Sequence, residues 1–202
     1  LNALSNKSPI VVMDAGIATE DNIKWLNDND YKYLVISRKR NQSLPDIDGV
    51  VVKNTPDHKV TTFLIQQESE SELYCHSEAM ERRSNTILQK SIDRFANELQ
   101  KIANGISKKG GIKKYDTIQQ KIGRIKEKYS KVANQFSISV IGDEKKEKVK
   151  TITWTHDPDN VAKAAGIYCI RTNQTQLNNK EIWDTYRMLN DIEDAFRALK
   201  TD

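Results

Sequence analysis

Ile10-Val11-Val12-Met13 is an unbroken apolar run that stops at Asp14-Ala15-Gly16. A run of this length, closed by a turn signal, predicts a short strand buried on both faces. Thr19 follows as a helix N-cap, with Glu20 and Asp21 in the favoured acidic first turn. Ile23 and Leu26, with Trp25 beside them, give that helix an apolar side, and Tyr33-Leu34-Val35-Ile36 predicts a second buried strand. Strand, helix and strand in such close succession make a βαβ unit with two neighbouring parallel strands. Asp14 then stands at the C-terminal end of the first strand, where open α/β sheets place their chemistry.

From Arg38 to about Gly49 the chain is polar and rich in turn formers, and short strands are expected at residues 50–53 and 61–65. After Cys75 the period becomes helical. Leu88, Ile92, Phe95, Leu99 and Ile102 form one seam, and Ile118, Ile122, Ile125, Tyr129 and Val132 form another. The loop between them, 105–111, opens on Gly105 as a helix cap, so the pair reads as an antiparallel helical hairpin. Phe136, Ile138 and Val140 alternate, as do Lys150, Ile152 and Trp154, around a charged turn at 142–147. That predicts a β-hairpin with a solvated tip. Residues 166–170 read as a further strand, and Asn178 or Asn179 caps a last helix from about residue 180 to 200.

The last helix is expected to bury Ile182, Leu189, Ile192, Phe196 and Leu199. A polar stripe runs beside them. Tyr186, Glu193 and Lys200 recur every seven residues, a spacing that drifts only ~20° per step on an ideal helix, and Arg197 lies one turn beyond Glu193. Glu193 on a rigid helix and Asp14 at a strand end could converge on a divalent metal with basic groups nearby, which is what phosphoryl transfer requires. The competing reading is a surface Glu193–Arg197 pair of ~0.3–0.5 kcal/mol.

Charge changes the picture more than composition does. Between Ser77 and Asn134 there are 14 Lys and Arg against 6 Asp and Glu, a net of +8; the remaining 18 and 22 leave −4 elsewhere. Such asymmetry suits a part that meets a polyanion, or a lysine-rich helix surface that keeps the chain soluble. The mean hydropathy of −0.69 and 37% apolar residues fit a polar globular chain. No apolar run approaches the ~18 residues of a membrane span. Cys75 and Cys169 form neither a disulfide framework nor a zinc spacing, so a reducing cytosolic setting is expected. His58, His76 and His156 have no ligand spacing and read as ordinary surface or turn residues, and Gly110-Gly111 lacks the setting of a P-loop.

Val11-Val12-Met13-Asp14-Ala15-Gly16-Ile17, followed by Glu20-Asp21-Asn22-Ile23, resembles the second-aspartate region of DDE transposases from bacterial and archaeal insertion sequences. The segment from Ile182 to Lys200 resembles their final catalytic helix, which carries a Tyr-x2-Arg-x3-Glu-x6-Lys signature. Tyr186, Glu193 and Lys200 fall in register, while Leu189 stands at the Arg position. The strand 166–173 also reads like the family.

The resemblance implies an α/β, RNase H-like fold interrupted by an insertion, here an α-helical hairpin plus a β-hairpin. Residues 1–58 and 161–202 would build the core. Residues 59–160 would form the insertion, with its basic helical hairpin at 77–134 and its β-hairpin at 135–155. It also implies two Mg²⁺ ions, with Mn²⁺ as a substitute, held by three carboxylates. Asp14 would be the second of these and Glu193 the third. Nothing between Leu1 and Pro9 replaces the first, so the fold's opening strands would be missing and residues 1–202 alone would be inactive.

The implied partners are double-stranded DNA, as transposon ends and target, and a second copy of the protein in a synaptic homodimer, in a prokaryotic cytoplasm with no membrane. DNA contacts are expected from Tyr186, Arg197 and Lys200 on the helix, and from Lys108, Lys109, Lys113, Lys114 and Arg124 on the insertion. The alternative at this point is a non-catalytic nucleic-acid-binding module that works through the basic hairpin alone.

Overall fold

The computed structural model describes residues 9–38, 43–145, 147–158 and 165–200, without the side chains of Asn190 and Glu193. Of the turn-rich stretch expected after Arg38, residues 39–42 lie outside this set. The fold is mixed α/β. The chain divides into two compact units, one built from 1–82 and 163–202, the other from 83–162.

The first unit is organised by a six-stranded sheet. Its strands are β1 (Ile10–Met13), β2 (Lys32–Ile36), β3 (Val50–Thr55), β4 (His58–Gln66), β5 (Ser71–Ser77) and β8 (Ile167–Thr172), in the order β1-β2-β8-β5-β4-β3. Of these strands only β1 and β2 run parallel, joined as expected through helix α1 (Glu20–Asp28) with Val12 opposite Leu34; their other pairings are antiparallel. β8, late in the sequence, lies at the centre between β2 and β5.

Alternation on β2 feeds two cores. Tyr33 and Val35 pack with Ala18, Ile23 and Leu26 of the α1 segment, whereas Leu34 joins Val60, Leu73, Cys75 and Ile170 under helix α5 (Asn179–Leu199). Each fully buried Leu or Val in these layers contributes about 1.5–3 kcal/mol relative to exposure. Trp25, beside the buried stripe of α1, stays outside and stacks on Tyr31 at 5.6 Å.

Gly166 makes the entry to β8 possible. Its φ of 79° lies in the left-handed region, and a Cβ there would stand 2.8 Å from the Ser77 carbonyl oxygen.

The second unit holds most of helix α2 (Glu78–Ser107), then α3 (Tyr115–Lys128), the single turn α4 (Ser130–Ala133), and strands β6 (Phe136–Gly142) and β7 (Val149–His156). Both expected helical seams and the inner face of the hairpin share one core. Phe95, Leu99, Ile118, Ile122, Val132, Phe136 and Ile152 are among its buried members, and Phe95 meets Phe136 at 4.6 Å between ring centroids.

The structure departs from the sequence pattern at four points. β5 carries no strand signal, because the face it buries alternates Ser71, Leu73, Cys75 and Ser77, and two serines break the apolar pattern. Gly105 does not cap α2; the helix runs on to Ser107, and Gly110, with a φ of 78°, makes the turn. The second seam is not one helix, since α3 ends at Lys128 and the chain resumes in α4 after Tyr129. The fourth concerns the final helix. Ile182 is buried as expected, and so is Trp183, but Ile192, Phe196 and Leu199 are 51%, 62% and 73% exposed. The first turns of α5 cover the sheet, and its apolar stripe continues beyond that cover.

Candidate functional site

Asp14 follows the last residue of β1 directly, at the C-terminal end of the parallel pair. The connection that carries it is closely tied. The Asp14 carbonyl accepts the amides of Ile17 and Ala18 at 3.2 and 3.1 Å, and its Oδ1 accepts the Ala15 amide at 2.6 Å. Ala18 is buried beneath α1, Thr19 Oγ1 caps the helix through the Asn22 amide at 3.1 Å, and Asn22 Nδ2 donates back to the Ile17 carbonyl at 2.6 Å. The turn is therefore fixed at both ends, as a rigid support for a chemically active carboxylate must be. The side chain itself is exposed, and Oδ2 has no hydrogen-bond partner among the described residues.

α5 begins with a complete capping box: Asn178 accepts the amides of Lys180 and Glu181, and Glu181 Oε2 accepts the Asn178 amide at 2.9 Å. That settles the cap on Asn178 rather than Asn179. Trp183 Nε1 donates to the Tyr168 hydroxyl at 3.1 Å, and the half-buried Tyr186 ring lies 5.9 Å from that of Tyr168. Leu189, in the signature's Arg position, is half-buried. Arg197 pairs with Asp194 at 3.1 Å, and Lys200 is exposed at the helix C-cap. Glu193 is a residue of α5, in the same unit as Asp14, and its side chain is outside the described set.

A hard carboxylate oxygen such as Asp14 Oδ2 suits one position in the shell of a magnesium ion. Among the described residues, no three His, Cys, Asp or Glu side chains gather as a metal-binding group. Asp14 thus fits as one ligand of a set that the described residues do not complete. The histidines are engaged elsewhere, on strands rather than in turns: His58 with Ser77 and Lys53, His76 with Glu81, and His156 with Gln135.

Sequence reasoning missed an ionic cluster close to the Asp14 turn. Arg171 of β8 makes two parallel bonds to Glu70, Nε to Oε1 and Nη2 to Oε2, both 3.0 Å, and a third from Nη1 to Glu20 at 2.7 Å. The buried Tyr33 hydroxyl donates to the same Glu70 at 2.7 Å. Burial works against the Arg171 charge, but the bonds to Glu70 and Glu20 outweigh it and hold the guanidinium protonated more firmly than usual. Burial first, and then the bond to Glu70, push the Tyr33 phenol well above its ordinary range. These groups line a hollow of about 300 Å³ with Lys24, Asn27 and Ser69. The one sequence signal was an arginine inside an otherwise apolar strand, which has to find an acid.

In the second unit Lys108, Lys109, Lys113, Lys114 and Arg124 are all exposed. Residues 83–162 hold 17 Lys and Arg against 9 Asp and Glu. No helix among the described residues is long and apolar enough to cross a membrane.

A family model described as the transposase DDE domain matches residues 1–202, the whole chain. No curated protein matches it. No solved structure matches it either.

Proposed function

The chain belongs to the transposase DDE domain family, and we propose that it forms the catalytic part of an insertion-sequence transposase that cleaves DNA and transfers strands by metal-dependent phosphoryl transfer. The observation that carries this reading is Asp14, an exposed carboxylate on a hydrogen-bonded turn at the C-terminal end of the parallel strand pair. In an RNase H-like arrangement, Asp14 and Glu193 would be the ligands this chain gives to Mg²⁺. The chemistry that such ions supply is activation of the attacking oxygen and neutralisation of charge at the phosphate. The chain's own part is positional. The turn after β1 orients Asp14, the capping box fixes the start of the helix that carries Glu193, and exposed cations neutralise the DNA backbone. Lys108, Lys109, Lys113, Lys114 and Arg124 take that role in the insertion, and Tyr186, Arg197 and Lys200 bind DNA on α5. Two copies bridging two transposon ends complete the reading.

The test uses the full-length transposase on duplexes carrying the element's ends, with Mg²⁺. Asp14→Asn and Glu193→Gln keep shape and remove charge. Each should lower strand cleavage by more than roughly 100-fold, since even partners of metal ligands cost 10–100-fold when mutated, while duplex binding persists. Full activity in either variant would overturn the assigned roles. The net positive charge of the second unit, which has a core of its own, favours one other reading, a DNA-binding module without chemistry. Duplex binding by the wild-type protein with no metal-dependent cleavage would select it.

A further inference from the structure

Two lysine-bearing segments, more than thirty residues apart in sequence, are fastened together in the second unit. The Val149 amide donates to the Lys113 carbonyl at 2.7 Å, and the Tyr115 amide donates to the Glu147 carbonyl at 3.0 Å. These two bonds make Lys114 and Lys148 directly opposed residues of an antiparallel bridge. Because the bonds flank the pair and neither lysine bonds to the other's backbone, this is the closer of the two cross-strand geometries, with Cα atoms ~4.5 Å apart. Opposed residues project from the same face, and like charges placed so are destabilising.

Among the described residues no ion pair relieves that repulsion. Lys113, Lys114, Lys148 and Lys150 are all exposed, and no ion pair among the described residues involves any of them. Asp143, in the same turn, directs its carboxylate to the Glu147 amide at 2.7 Å instead. The inter-helix loop is also held in place from behind: a Cβ on Gly111 would stand 1.8 Å from the Gly105 carbonyl oxygen, so the loop closes against the end of α2 only with glycine there. Glu144, Lys145 and Glu147 of the hairpin tip are exposed, but the backbone there is not free.

We propose that this clasp is a contact for the phosphate backbone of duplex DNA, in which the hairpin residues Lys148 and Lys150 act together with Lys114. Phosphate oxygens lying across the opposed lysines supply the negative charge that the fold withholds. Duplex DNA is the occupant that charge selects, because it presents a negative charge about every 1.7 Å of axis to a unit with a large cationic excess. The inference rests on the DNA-processing function above and extends it to the β-hairpin.

The test compares wild-type full-length protein with Lys148→Gln and with Lys148→Gln/Lys150→Gln, measuring duplex affinity over a range of salt concentrations and thermal midpoints without DNA. Each phosphate that is no longer neutralised takes about 0.9 from the steepness of the log–log salt dependence. The double variant should therefore be shallower by roughly 1–2 and bind more weakly at low salt. The midpoint of Lys148→Gln should hold or rise by about 1–3 °C as repulsion is relieved. A variant that melts earlier and keeps the wild-type salt slope would make the clasp a structural fastening only and overturn this proposal alone. A wild-type protein that binds no duplex would overturn the proposal together with the function it rests on.

Discussion

Arg171 keeps a charge within the sheet because three acceptor oxygens surround it, and the acceptors differ in worth. Its side chain is 12% exposed and that of Glu70 is 21%, whereas Glu20 is 75% exposed. Screening by water leaves a pair with so exposed a partner at ~0–1 kcal/mol. Removing one member of a half-buried pair instead strands the other without compensation. Arg171→Met should cost about 1–3 kcal/mol in a denaturant titration, discounted from the 3–5 of a fully buried pair, while Glu20→Gln should cost less than ~1. Equal losses in the two variants would show that Glu20, not Glu70, holds the arginine. The place of Asp14, at a strand end before a turn, was legible from sequence because its signal is local: an apolar run, an acid, a turn. The Arg171 cluster was not, since its members come from α1, β2, the turn before β5, and β8, and only the folded sheet brings them together.

Elements were legible where one face is uniformly apolar. β1, α1, β2 and the first helical seam all have that property, and each forms where its pattern predicts. A helical period, however, reports that a stripe exists, not that something covers it. On α5 the same stripe is buried at Ile182 and open at Phe196. The difference is measurable: Ile182→Ala should cost about 2–5 kcal/mol through reduced burial and the cavity left behind, and Phe196→Ala should fall within about 0.5 kcal/mol of wild type. A large loss at Phe196 would mean that the helix end is packed in solution. The serines of β5 show the opposite failure, a buried face whose signal is diluted by small polar residues that the sheet accommodates.

At the scale of the whole chain, one unit is discontinuous and the other is inserted within it, each with its own apolar core. Separate cores predict separable losses. Phe95→Ala empties the centre of the second core and should cost about 3–5 kcal/mol there. Hydrogen exchange should then accelerate at amides of α3, β6 and β7 while those of β2, β5 and β8 keep their protection. Uniform acceleration in both units would show that they unfold as one.

The position of β8 bears on how the chain is made. The ribosome releases β1 and β2 before β3, β4 and β5, and none of these strands pairs across the two sets. Each set must wait with an open edge while the whole inserted unit is synthesised. Only when residues 167–172 emerge can a strand slide between β2 and β5 and join them. Completion of the sheet is thus deferred until the whole inserted unit has been made. During that interval the unpaired edges of β2 and β5 are open to other chains. A nascent chain that stalls inside the insertion leaves two half-sheets, each missing the same partner.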